Sequence, residues 1–135
     1  NNIEIMPHLA KMKNWLRNLF NAVDNMDADV FVSFFMEDAN FKFANAPAVS
    51  NRKNIRKAVS QFFSAVKGLR HEIKDVWECD DAVICEGEVT YTRHDNSKVS
   101  FPFANVFRME NELIADYRVY IDNSALFTQA DETRP

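Results

Sequence analysis

Apolar residues recur every three or four positions near the start of the chain. Leu9, Met12, Leu16, Leu19 and Val23 form one stripe, with Trp15 and Phe20 beside it. That spacing predicts an amphipathic helix, and Pro7 suits its first turn. Asp24-Asn25-Met26-Asp27 breaks the period, and Asp27 is placed to cap a second, shorter helix through Val30, Phe31, Phe34 and Phe35. Alternation from Asn40 to Phe43 predicts a strand, which Ala46-Pro47-Ala48 ends. Ser50 or Asn51 can cap a third helix, with Ile55, Val59, Phe62 and Val66 on one face and Gly68 at its end.

From about Arg70 the helical period vanishes, and four strand-like runs follow. The first holds Ile73, Val76 and Trp77 and turns at Asp80-Asp81. The second is Val83–Arg93, turned by Asp95-Asn96-Ser97-Lys98. The third is Val99–Met109, turned by Glu110-Asn111-Glu112, and the last is Leu113–Ile121. Long strands with turns only at their ends form a twisted antiparallel meander whose inner face must be covered. Three helices are available to cover it. The expected fold is therefore α+β, a cone-like curved antiparallel sheet packed on three N-terminal helices.

Composition sharpens this picture. The 135 residues fit a single domain, 1–135. Twelve Phe against three Tyr and two Trp suggest a thick core or an apolar cavity. The net charge of −4, mixed along the chain, argues against nucleic acid or an anionic membrane as partner. No segment is long and apolar enough to span a membrane, and the first residues show no signal-peptide pattern. Cys79 and Cys85 flank a turn but form no zinc-type pattern, so reduced thiols and a cytoplasmic location are expected. With only Gly68 and Gly87, the chain has no glycine-rich phosphate loop.

The element order resembles the nuclear-transport-factor-2-like superfamily, which includes SnoaL-like polyketide cyclases, ketosteroid isomerases and limonene-epoxide hydrolases. Two local runs carry the resemblance: Phe34-Phe35-Met36-Glu37-Asp38-Ala39-Asn40-Phe41 and Tyr117-Arg118-Val119-Tyr120-Ile121-Asp122. It implies a pocket for a small, mostly apolar molecule, no metal and no organic cofactor.

Asp122 is the first candidate for chemistry. It follows Arg118 and Tyr120 on one face of the last strand, while Tyr117, Val119 and Ile121 occupy the other. If the polar face enters the cone, burial raises the carboxyl pKa and suits a general base. Asp122 is equally a natural cap for Asn123-Ser124-Ala125-Leu126-Phe127. Phe43-Ala44-Asn45-Ala46-Pro47 resembles the Tyr-x-Asn-x-Pro run of limonene-epoxide hydrolases, with Phe43 replacing the Tyr. The resemblance implies that Asn45 orients water, and the alternative is a turn residue before Pro47. Arg93-His94-Asp95 resembles that family's Arg-x-Asp pair, in which an Arg bridges two acids of separated pKa. Asp95 also suits the hairpin turn it begins. The expected site is thus catalytic Asp122, Asn45, Arg93 and Asp95, with Phe43, Arg118, Tyr120 and Trp15 contacting substrate.

Aligned with ketosteroid isomerases, the catalytic Asp falls at Phe43 and the oxyanion-hole Tyr near Leu19, which excludes that chemistry. Some relatives use a His-Asp pair, and His71 qualifies only if it faces the cavity. The rival function is a non-catalytic binding or dimerisation module. Phe101, Phe103 and Phe107 alternate along one strand, and on the convex face they would suit a homodimer through the sheet.

Overall fold

The computed structural model describes residues 12–127. Leu9 and Pro7, assigned above to the first helix, lie outside the described residues. That helix, α1, spans Asn14–Asp24 and buries Leu16 and Leu19 of the expected stripe together with Phe20 and Ala22, while Met12 and Val23 are half-buried. Its end is closed by Met26 N–H to Val23 O (2.8 Å) and Asp27 N–H to Ala22 O (2.9 Å), with Met26 at φ 55°. This is the left-handed stop that usually falls on glycine.

Asp27 caps α2 (Ala28–Val32), its Oδ1 accepting from Val30 N at 3.1 Å. The helix is shorter than the apolar run suggested. Phe35 opens strand β1 (Phe35–Phe43), where Phe35, Ala39 and Phe41 are buried. A two-residue β2 (Val49–Ser50) pairs with Asn40 and Phe41. Of the two expected caps for α3 (Arg52–Ser64), Asn51 takes the role, its Oδ1 accepting from Asn54 N at 3.0 Å. Val66 follows the helix and is still buried, and Gly68 begins a strand rather than ending the helix.

The meander is β3 (Gly68–Cys79), β4 (Ala82–Thr92), β5 (Lys98–Glu110) and β6 (Leu113–Ile121), followed by a 3-10 turn at Ser124–Leu126. The six-stranded sheet runs β2-β1-β6-β5-β4-β3. Neighbours are antiparallel except β1 and β6, which are parallel. The α+β architecture is the expected one: a curved sheet with helices over its concave face.

A bulge bends β3, because Ile73 pairs with Gly87 and Asp75 with Glu86, leaving Lys74 extra. Gly87 is required there, since a Cβ would come within 2.0 Å of the Glu72 carbonyl oxygen. The bulge also switches which residues face inward. Leu69, His71 and Ile73 point to the core before it, and Val76 after it.

The inner face is continuous across the sheet. Cys85, Val89 and Tyr91 of β4, Phe101, Phe103 and Phe107 of β5, and Ile114 and Tyr117 of β6 are all buried in one core. The three β5 phenylalanines are 8%, 5% and 0% exposed, so they belong to the concave side and cannot form a convex dimer surface. Cys79 is exposed, Cys85 is buried, and both are free thiols. None of the helices is long and apolar enough to cross a membrane among the described residues.

Candidate functional site

The concave face leaves a cavity of about 230 Å³ between the sheet and the helices. Its wall is mostly apolar: Phe31, Phe41, Phe43, Phe62, Phe63 and Phe103 contribute rings, and Val23, Val59, Leu69, Val119 and Ile121 fill between them. Polar atoms enter through His71, Tyr91, Asn105 and Tyr117. Among the described residues, no Lys, Arg, Asp or Glu stands in this wall. Such a chamber favours a neutral, largely apolar occupant with a few polar anchor points.

Among the described residues, His71 is the wall's one imidazole. Its ring packs between Phe20 and Phe103, at centroid distances of 5.0 and 5.2 Å. Asp24, at the C-terminal end of α1, holds it twice: Oδ1 lies 2.6 Å from His71 Nδ1, and Oδ2 accepts from the His71 backbone N–H at 3.0 Å. The side chains are 11% and 26% exposed. An ionised carboxylate only accepts, so Nδ1 carries the hydrogen and the lone pair of a neutral imidazole sits on Nε2. A second hollow, lined by Arg17, Asn21, Asp24 and His71 among others, lies between α1 and β3. His71 therefore belongs to the walls of both spaces, while Asp24 belongs only to the second.

The two tyrosines are kept as neutral hydroxyls. Burial first, and then the charge of Asp24, pushes the Tyr91 hydroxyl pKa up. Burial raises that of Tyr117 well above its ordinary value. Asn105 Nδ2 donates to Tyr117 Oη at 3.0 Å.

Most of the residues expected at the site stand elsewhere. The apolar face of β6, not the polar one, enters the cone, because Tyr117, Val119 and Ile121 fill the cavity wall. Asp122 is exposed, and its Oδ1 accepts from Ser124 N at 3.2 Å. The Ser124 hydrogen bonds hold its carboxyl below the usual range, opposite to the shift that a neutral-pH base needs. Arg118 and Tyr120 are exposed on the convex side, Arg118 pairing with Asp116 at 3.1 Å. Asn45 is exposed in the turn after β1, outside the cavity wall.

Arg93 does not bridge two acids. Its Nε donates to Leu126 O (2.8 Å), Nη2 to Ala125 O (3.1 Å) and Nη1 to Ser97 Oγ (3.0 Å). It fastens the C-terminal turn to the β4–β5 hairpin. Asp95 is exposed and accepts from Ser97 N and Oγ, at 2.9 and 2.6 Å, which lowers its pKa. Trp15 packs edge-on against Phe107 at 5.5 Å and stays out of the cavity wall. Phe43 alone of the expected residues lines the cavity, its ring 5.1 Å from Phe62. The water-orienting set read from Asn45, Arg93, Asp95 and Asp122 is thus not brought together.

A cone of sheet and helices around a small apolar chamber defines the class of protein. The SnoaL-like domain model matches residues 16–117, and the chain belongs to that family. No curated protein matches the chain. Solved structures of the same fold include a hypothetical protein with a ketosteroid isomerase-like protein fold from Catenulispora acidiphila DSM 44928, in complex with trimethylamine. It is 15% identical, with a TM-score of 0.81 over 93% of this chain and 100% of the other. A putative SnoaL-like polyketide cyclase from Jannaschia sp. CCS1 is 18% identical, with a TM-score of 0.75 over 89% and 90% of the two chains. An LEH-like epoxide hydrolase from M. tuberculosis is 18% identical, with a TM-score of 0.70 over 84% of each. At these identities the likeness concerns the fold.

Proposed function

We propose that the chain binds a small, mostly apolar molecule in the cavity and moves a proton on it with His71, oriented by Asp24. The observation that carries this reading is the position of His71. It stands in the wall of the apolar cavity with Nδ1 held by Asp24 at 2.6 Å. A ring fixed in this way presents Nε2 as a base, and the carboxylate stabilises the imidazolium that forms. The second hollow, between α1 and β3, borders the same ring and its Asp24 partner. The reaction class is proton abstraction beside a carbonyl, the chemistry that precedes cyclisation. Epoxide hydrolysis of the limonene-epoxide type is the weaker reading, since it needs paired carboxyls and the cavity wall holds none among the described residues.

The test is hydrogen–deuterium exchange at the activated CH2 of 2-tetralone, followed by NMR in D2O. The protein should accelerate exchange over buffer, and His71→Gln should lose about 100-fold or more of that acceleration. Equal rates in the two proteins would end the proposal. Tight binding without acceleration would favour the non-catalytic module.

A homodimer through the sheet is proposed on residues other than the β5 phenylalanines. On the convex side Trp77 pairs with Ile84 and Ile84 with Val106, while Ala104 pairs with Tyr120. Trp77 and Tyr120 are 41% and 56% exposed. Light scattering should read twice the chain mass for the wild type and one chain mass for Val106→Glu. A monomeric wild type would refute the dimer.

A further inference from the structure

The cavity reading above also constrains the chemistry of the ligand, through Asn105. This side chain is 1% exposed, the one buried polar residue among the described core, and it stands in the cavity wall. Its Nδ2 is used by Tyr117, but Oδ1 has no hydrogen-bond partner among the described residues. A buried amide oxygen left unbonded costs about 1–3 kcal/mol. Rotating the amide would let the Tyr117 hydroxyl donate to Oδ1, and Nδ2 would then be the unpaired atom. Either way one polar atom stays unpaired beside a wall of phenylalanine and valine.

Three further observations narrow what can meet it. Among the described residues the cavity wall holds no Lys or Arg, so a carboxylate or phosphate on the ligand would be buried without a counter-charge. A hydroxyl both donates and accepts, so it satisfies the amide in either rotation, whereas a carbonyl or ether only accepts. Asn105 also follows Phe103 on the same face of β5, and the Phe103 ring packs on His71 at 5.2 Å. A ligand anchored at Asn105 therefore lies along Phe103 toward the imidazole.

We propose that Asn105 is the specificity-determining residue of the cavity, an anchor for the hydroxyl of a neutral, otherwise apolar ring compound. The cavity volume of about 230 Å³ exceeds the roughly 150 Å³ that accommodates benzene, which suits a bicyclic alcohol or phenol. This rests on the cavity being a binding site, but not on proton transfer at His71.

Calorimetric titration with 2-naphthol, 2-methoxynaphthalene and naphthalene tests it without any reaction. The wild type should bind 2-naphthol about tenfold tighter than the other two. Asn105→Leu should lose that preference while keeping its affinity for naphthalene. The wild-type series needs no variant, so it decides the matter even if Asn105→Leu fails to fold. Equal affinity of the wild type for naphthol and its methyl ether, or a preference retained in Asn105→Leu, would overturn this inference alone. Failure of all three compounds to bind would overturn the cavity reading and this inference with it.

Discussion

Two regions of this molecule carry acids beside basic side chains, and they differ in who neighbours whom. At the rim, Asp122 and Asp95 sit two residues before a serine whose backbone N–H each accepts. Arg93 is committed to the carbonyls of Ala125 and Leu126. Inside, Asp24 reaches His71 across 47 positions of sequence, because α1 packs on β3. A carboxylate with a turn N–H two residues on is satisfied locally, stays ionised and stays in water. A carboxylate delivered by a helix end to a ring on a strand is held by the tertiary fold. The rim residues shape turns, whereas the inner pair is the one proposed to act on what enters the cavity.

If that division is right, Asp24→Asn should cost catalysis on the order of tenfold or more in 2-tetralone exchange, since the amide no longer stabilises an imidazolium. The protein should remain folded by circular dichroism. A rate equal to wild type would remove Asp24 from the account.

Arg93→Ala should act on stability and not on rate. It strands carbonyls of the C-terminal turn and removes one of the hydrogen bonds at Ser97 Oγ, at a cost of about 1–3 kcal/mol in urea unfolding. Exchange per folded molecule should be unchanged. A rate loss without destabilisation would return Arg93 to the site.

Alkaline pH should loosen the interior before the rim. Burial pushes the Cys85 thiol from 9.0 up to about 12, and Tyr91 and Tyr117 shift the same way. Each raised pKa means that the folded state holds its proton more tightly than the unfolded chain. For Cys85 that stabilisation is complete below about pH 9 and is lost as pH rises toward 12. The melting temperature should fall across this window, and Cys85→Ala should flatten part of the fall. A thiol reagent at pH 8 should label exposed Cys79 and spare Cys85 in the folded protein. Labelling of both at equal rates would contradict the burial.

The smallest effect is expected at the rim. Asp95→Asn should leave exchange within about twofold, because an amide oxygen still accepts the Ser97 N–H.

The fold was legible because its signals are local: helical stripes, Asp27 and Asn51 as caps, and turn residues between long strands. The site was less so, for identifiable reasons. Ile73 and Val76 both pack against the core, which strict alternation along one strand forbids. Only the bulge at Lys74 reconciles them, and with it His71 faces the cavity. Asp24 read as part of a turn, since nothing local reveals a partner on β3. The orientation of β6 was open because both of its faces carry large residues, and burial of Tyr117 over Arg118 decides it. Asn105 did leave a sequence signal. It occupies the gap in the alternation of Phe101, Phe103 and Phe107, a polar residue on a face otherwise built of rings.

The central claim is that proton transfer belongs to the inner pair and not to the rim. Deuterium exchange of 2-tetralone by His71→Gln and Asp122→Asn, side by side with the wild type, tests it directly. The account predicts that His71→Gln loses nearly all acceleration while Asp122→Asn keeps it within about twofold. The reverse pattern, with Asp122→Asn inactive and His71→Gln active, would contradict it.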